Sequence, residues 1–160
     1  MSKLYAPVVA IPAIVAVALL AACSGTDQAA NVAQLRDQVQ QIRVVSTKAQ
    51  VLGVLDLGDR SAFHTVDVDL QTASQINPQY LGTVRKMRQA VTGTTWPTEL
   101  EERAQTLLAS LVGFQAALER NDLAAAKISA TKTHESYHDL SELAWPYVAG
   151  ERQPAGEHDE

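Results

Sequence analysis

Apolar positions recur at helical spacing over nearly the whole chain after residue 30. In the clearest stretch they alternate four and three residues apart, which places them on one stripe of a helix; they are Leu100, Ala104, Leu107, Leu111, Phe114 and Leu118. Pro97 stops any helix arriving from upstream, and Thr98 with Glu101 has the spacing of a capping box. Asn121 followed by Asp122 is typical of a helix stop and the next helix start. The spacing therefore predicts a helix that begins at Thr98.

Three other segments, 31–57, 78–92 and 122–145, have the same period. The apolar positions of the first are Leu35, Val39, Ile42, Ala49 and Leu52. Pro146 marks the predicted end of the last segment, because proline breaks the hydrogen-bond pattern of a helix. No alternating apolar and polar pattern predicts a strand, so we predict an all-α fold.

Two possible breaks decide how many helices there are. In the first arrangement Gly58 ends one helix, Ser61 caps the next, and Pro78 only kinks a helix that runs on to Thr92. In the second the chain turns at Pro78 and runs straight past Gly58, but a helix over 31–76 would be about 69 Å long and overhang its neighbours. We therefore expect the first arrangement, an antiparallel bundle of about four helices with short connections.

The start of the chain has the organisation of an export signal. After Lys3 an uncharged apolar stretch runs to Ala22 and ends in small residues before Cys23. Pro7 and Pro12 within it argue against a membrane-spanning helix, which would need about 20 apolar residues. The tetrad Leu20-Ala21-Ala22-Cys23 resembles the lipobox of bacterial lipoproteins, in which the cysteine is lipidated and becomes the first residue of the mature protein.

This resemblance implies where the protein is located. Acyl chains on Cys23 would anchor it to a membrane of the bacterial cell envelope, with the domain facing the extracytoplasmic side. Ser24 after the cysteine would permit delivery to the outer membrane, although the choice between inner and outer membrane stays open. Cys23 is the only cysteine, so the monomer has no internal disulfide. The predicted organisation is a signal peptide (1–22), a lipidated cysteine and tether (23–30), a helical bundle (31–149) and a disordered acidic tail (150–160). Asp27 could instead cap an earlier start of the first helix.

The charge balance excludes one class of partner. Removal of the signal takes away Lys3 and leaves 12 basic against 18 acidic residues, a net charge of −6 with histidine neutral. Such an acidic chain argues against nucleic-acid binding. The expected partners are the membrane, through the lipid, and a protein of the envelope, with the oligomeric state open.

One pentapeptide carries candidate chemistry. His134-Glu135-Ser136-Tyr137-His138 resembles the H-E-x-x-H motif of zinc metallopeptidases, which implies His134 and His138 as zinc ligands and Glu135 as the base that activates water. Three features argue against a peptidase. No downstream motif clearly supplies a third zinc ligand, and the candidates are the isolated Glu142, Glu151 and His158. The motif has the charged neighbours Lys132 and Asp139, and the predicted all-α chain has no strand edge along which a peptide substrate could lie. We therefore predict no enzyme.

The same two histidines predict a binding site for a divalent metal such as zinc or copper. Four residues apart on one helix, His134 and His138 project from the same side, at the edge of the buried face centred on Tyr137. The candidate partners are His64 and Asp67, three apart on another helix.

Whether the partners reach the histidines depends on the chain break. A turn at Pro78 would place His64 level with His134, whereas the preferred arrangement leaves the two about 13 Å out of step.

Two alternatives require no metal. The histidines could be ordinary edge residues bonded to nearby acids such as Glu135, or the protein could be an envelope interaction or scaffold lipoprotein.

Overall fold

The computed structural model describes residues 25–60 and 63–150, with the side chains of residues 28–59 and 65–150. Its helices are α1 (Gly25–Arg60), α2 (Phe63–Thr72), α3 (Gln79–Gly93), α4 (Thr98–Glu119) and α5 (Leu123–Ala149). The predicted all-α class is confirmed, and the described ranges contain five helices where about four were expected. The predicted signal peptide, Cys23 and the tail from 151 lie outside the described residues.

The chain divides after Asp37 into two compact units, and the hydrophobic core belongs to the second, which starts at Gln38. In this unit α5 packs against α4 and α2, while α3 packs against α4 and α2. The predicted stripe of α4 is buried throughout, from Leu100 to Leu118. None of the helices within the described residues combines the length and the apolar composition that a membrane span requires.

Two expectations about α1 are corrected at its ends. The helix begins at Gly25 rather than at Asn31, so the predicted tether is helical from residue 25 onward. It also continues past Gly58 to Arg60. Gly58 is buried inside the helix instead of ending it, because the absence of a side chain there lets another helix approach closely.

The chain also breaks between α2 and α3, so the expected continuous helix kinked at Pro78 is wrong. α2 ends at Thr72, and α3 starts at Gln79 directly after Pro78. Proline disfavours a helical conformation in the residue before it, and the Asn77 Oδ1 atom accepts a hydrogen bond from the Gln79 backbone N–H at 3.0 Å. The first arrangement therefore contains the break between α1 and α2, and the second contains the break between α2 and α3.

The buried face of α1 is not the one that the apolar positions suggested. Val39, Ile42 and Leu52 are exposed to solvent, whereas the buried apolar residues are Val51, Val54 and Leu55. These three share a face with Gly58, where the Tyr137 ring of α5 comes close to the α1 backbone. The packed face is therefore the one that includes this glycine.

Tyr137 of α5 fills the space that Gly58 leaves on α1. Its side chain is fully buried, and its hydroxyl donates to the Leu55 carbonyl at 3.0 Å and to the Asp59 Oδ1 atom at 2.5 Å. Burial, followed by the hydrogen bond to and charge of Asp59, raises the pKa of the Tyr137 hydroxyl well above its usual range. The phenol therefore stays protonated and joins α1 to α5.

The ends of α4 and α5 test the sequence signals at helix boundaries. α4 starts at Thr98 as predicted, but no side-chain cap forms there, so the capping box is wrong. The stop and start at residues 121–122 are confirmed, with Asn121 at a φ of 53° and the Asp122 side chain accepting from the Ala125 N–H at 3.0 Å.

The predicted end of α5 at Pro146 is wrong, since the helix runs on to Ala149. Proline in this turn removes one backbone hydrogen bond. The turn is nevertheless retained, because Tyr147 and Val148 pack against the core and the Lys48 Nζ atom donates to the Val148 carbonyl at 3.3 Å. Gly150, at a φ of 80°, then ends the helix.

Two glycine substitutions on α1 test the contact with Tyr137. Gly58→Ala is expected to lower the free energy of unfolding by about 1–3 kcal/mol, because the new Cβ would run into the buried Tyr137 ring. Gly53→Ala is the matched control, since nothing lies within 4 Å of a Cβ there, and it is expected to raise the free energy by about 0.5–1 kcal/mol. Urea unfolding followed by circular dichroism measures both changes. Equal stabilisation by the two alanines would contradict the close contact.

Candidate metal centre

His134 and His138 lie one turn apart on α5, on either side of the buried Tyr137. Their ring centroids are 4.7 Å apart, and the two Nε2 atoms approach to 3.0 Å. The His134 side chain is partly buried, whereas His138 is exposed. The predicted pair at the edge of the core therefore has two nitrogens directed at a common point that solvent can reach.

Helix α2 brings Asp67 to the other edge of the His134 ring. The His134 Nδ1 atom and the Asp67 Oδ2 atom are 3.2 Å apart, with side chains 25% and 15% exposed. This contact corrects the expectation that α2 is out of step with His134. The turn over residues 73–78 sends the chain back, so that α2 is free to lie level with the middle of α5.

Three further hydrogen bonds fix the Asp67 carboxylate and α2. The Oδ1 atom accepts from Gln71 Nε2 at 2.9 Å and from Thr131 Oγ1 at 2.8 Å. The Lys127 Nζ atom donates to the Gln71 backbone carbonyl at 3.0 Å, which closes a second connection between α2 and α5. The carboxylate is therefore held by residues of both helices.

Opposing effects set the ionisation of Asp67. Burial of the side chain raises its pKa, but hydrogen bonds from Gln71, Thr131 and His134, with the charge of His134, outweigh burial and lower the pKa. Asp67 is consequently ionised near neutral pH. An ionised carboxylate can only accept hydrogen bonds, so the Nδ1 atom of His134 carries the hydrogen of their bond.

This assignment determines what lies between the two Nε2 atoms. When His134 is neutral and has its hydrogen on Nδ1, its Nε2 presents a lone pair, and His138 supplies the hydrogen between the rings. If His138 carried its hydrogen on Nδ1 instead, both Nε2 lone pairs would be available and the two imidazoles could hold a metal ion.

Of the remaining predicted site residues, those whose side chains are described do not join this geometry. His64 belongs to α2, three residues before Asp67, but its side chain lies outside the described residues. Glu135 and Glu142 are exposed on α5, and Glu151 and His158 lie outside the described ranges. Among the described side chains, no group of three or more histidine, cysteine, aspartate or glutamate residues could hold a metal ion.

Sequence reasoning missed Gln71 and Thr131, which hold the Asp67 carboxylate. Their spacing contains a usable signal, because Gln71 follows Asp67 by four residues and Thr131 precedes His134 by three, each on the same helix face as its neighbour. Polar residues at such spacing indicate second partners once the two helices are known to pack together.

Comparisons with known proteins identify no family for this chain. No protein-family model matches it, and no curated protein and no solved structure matches it significantly.

Proposed function

We propose that this chain is a lipid-anchored protein of the bacterial cell envelope whose helical domain binds a divalent metal ion, zinc or copper, through His134 and His138. The observation that carries the proposal is the approach of the two Nε2 atoms to 3.0 Å at a solvent-accessible edge of the core. Imidazole nitrogens suit both metals.

The two histidine nitrogens occupy only two of the coordination positions of the ion, so other donors must fill the rest. His64 is the candidate third ligand, because it belongs to α2, which packs against α5 and supplies Asp67 to the same histidine. Water or a donor from an envelope partner would complete the coordination, as in metal sites that keep an open position. Asp67 belongs to the site through its contact with His134.

The proposed role is binding and not catalysis. Glu135, at the position of the base in zinc metallopeptidases, is exposed to solvent. The described residues form helices and turns but no strand, so they offer no strand edge along which a peptide substrate could be held.

The anchor and the bundle complete the proposal. Acyl chains on Cys23 would hold the domain at the membrane, with α1 following the anchor in sequence. The proposed arrangement of the main helices is antiparallel, because connections such as residues 120–122 between α4 and α5 are short and these helices pack together.

An envelope interaction or scaffold protein is the second candidate, favoured by one observation on α1. Ile42 and Val45 are 65% and 67% exposed, next to each other on one helix face, and they line a groove with Gln38, Gln41 and Ser46. Exposed apolar surface of this kind marks interaction sites when it is contiguous. This candidate requires no metal, so metal binding distinguishes the two.

Metal titration of the full-length protein in detergent tests the binding proposal. Isothermal calorimetry with zinc and with copper(II) is expected to give one ion per chain. The variants His134→Ala and His138→Ala should each weaken binding by at least about 100-fold, more than loss of an outer-shell partner.

The matched control for this titration is Lys132→Ala with Glu135→Ala, two exposed substitutions on the same helix that leave both imidazoles in place. It should bind the ion as the unmodified chain does. Absence of binding by the unmodified chain, or equal binding by the histidine variants, would reject the metal site and leave the interaction protein as the better account.

Lipid anchoring is tested by labelling with a fatty-acid analogue in a bacterial host. The unmodified chain should take up the label and sediment with membranes, while Cys23→Ala should do neither, because the thiol is the acylated group. Ser24→Ala is the control that keeps the cysteine. Labelling that persists in Cys23→Ala would contradict the lipobox interpretation.

A further inference from the structure

The Asp67 carboxylate lies on the wrong side of His134 to share an ion with both histidines. Its Oδ2 atom contacts Nδ1, whereas the Nε2 atom that faces His138 is on the opposite edge of the ring. A zinc–oxygen bond is about 2.0–2.2 Å long, and an ion at Nε2 would be separated from Oδ2 by the whole imidazole.

Both oxygens of this carboxylate are already engaged by hydrogen-bond donors. Oδ2 accepts from His134, and Oδ1 accepts from Gln71 and Thr131 at 2.9 Å and 2.8 Å. Thr131 is one turn before His134 on α5, and Gln71 is one turn after Asp67 on α2. The carboxylate is therefore fixed from both helices, and its orientation toward Nδ1 is determined before any ion arrives.

We infer that Asp67 is a positioning residue, which keeps the hydrogen of His134 on Nδ1 and thereby presents the Nε2 lone pair to the metal, with Thr131 and Gln71 holding the carboxylate in place. The metal-binding part of this inference rests on the proposed function. The tautomer part does not, because it describes the metal-free protein. A carboxylate behind a metal-binding imidazole raises the basicity of the ligand and fixes the ring.

Nitrogen NMR of the histidine rings tests the tautomer directly. In the metal-free full-length protein in detergent, the neutral His134 ring is expected to be in the Nδ1–H form. In Asp67→Asn the amide can donate to Nδ1, so the hydrogen should move to Nε2 in a large fraction of molecules. Asp69→Asn is the matched control, since Asp69 is on the same helix and contacts Tyr80 at 3.4 Å instead of a histidine.

Metal titration of the same variants supplies the second readout. Asp67→Asn should weaken binding by about 10–100-fold, the range for loss of an outer-shell partner, while Asp69→Asn should not change it. Backbone amide spectra of each variant establish that the helices still pack. Thr131→Val, which removes only the hydroxyl donor to Asp67, should shift the tautomer in the same direction to a smaller extent.

The outcomes separate the inference from the proposed function. An unchanged Nδ1–H form in folded Asp67→Asn would overturn the positioning role. A loss of binding as complete as that of His134→Ala would overturn it in favour of direct ligation by Asp67. The expected change of tautomer in a chain that binds neither ion would reject the proposed metal site while supporting the role of Asp67 in orienting His134.

Discussion

The contact between Tyr137 and α1 helps to fix the rotation of α5 about its axis, and the candidate site depends on that rotation. The ring fits against Gly58, and the hydroxyl is held by the Leu55 carbonyl and the Asp59 carboxylate. Residues three before and one after an inward-facing position lie toward the edge of the buried face of a helix. Tyr137 therefore directs both His134 and His138 to a half-sheltered edge, where they can meet each other and still reach solvent.

The polar contacts between α2 and α5 add hydrogen bonds to the apolar packing of these helices. The buried apolar residues Val66 and Leu70 pack α2 into the core. Hydrogen bonds have narrow limits of distance and angle, and Asp67 makes them to both helices at once. The same carboxylate therefore contributes both to the register of α2 against α5 and to the orientation of the His134 ring.

The sequence predicts most reliably what depends on local spacing. The stripe of α4 and the stop and start at Asn121 and Asp122 follow from residues within one or two turns, as does the common side of the two histidines. What depends on contacts between distant segments is not visible. Gly58 looks like a helix end until Tyr137 is seen to occupy the space beside it. In the same way, packing of the last turn of α5 keeps Pro146 within that helix. Asp67 could be predicted as a candidate site residue because it has a carboxylate, but its role depends on which nitrogen of the His134 ring it contacts.

The proposed function requires one ion between the Nε2 atoms of His134 and His138. Anomalous diffraction from crystals grown with zinc or copper, collected at the absorption edge of the metal, tests this requirement. The expected result is a peak about 2.0–2.1 Å from both Nε2 atoms, with the Asp67 carboxylate still bonded to Nδ1 on the far side of His134. A peak bonded to the Asp67 carboxylate, or crystals at saturating metal with no peak between the two histidines, would contradict it.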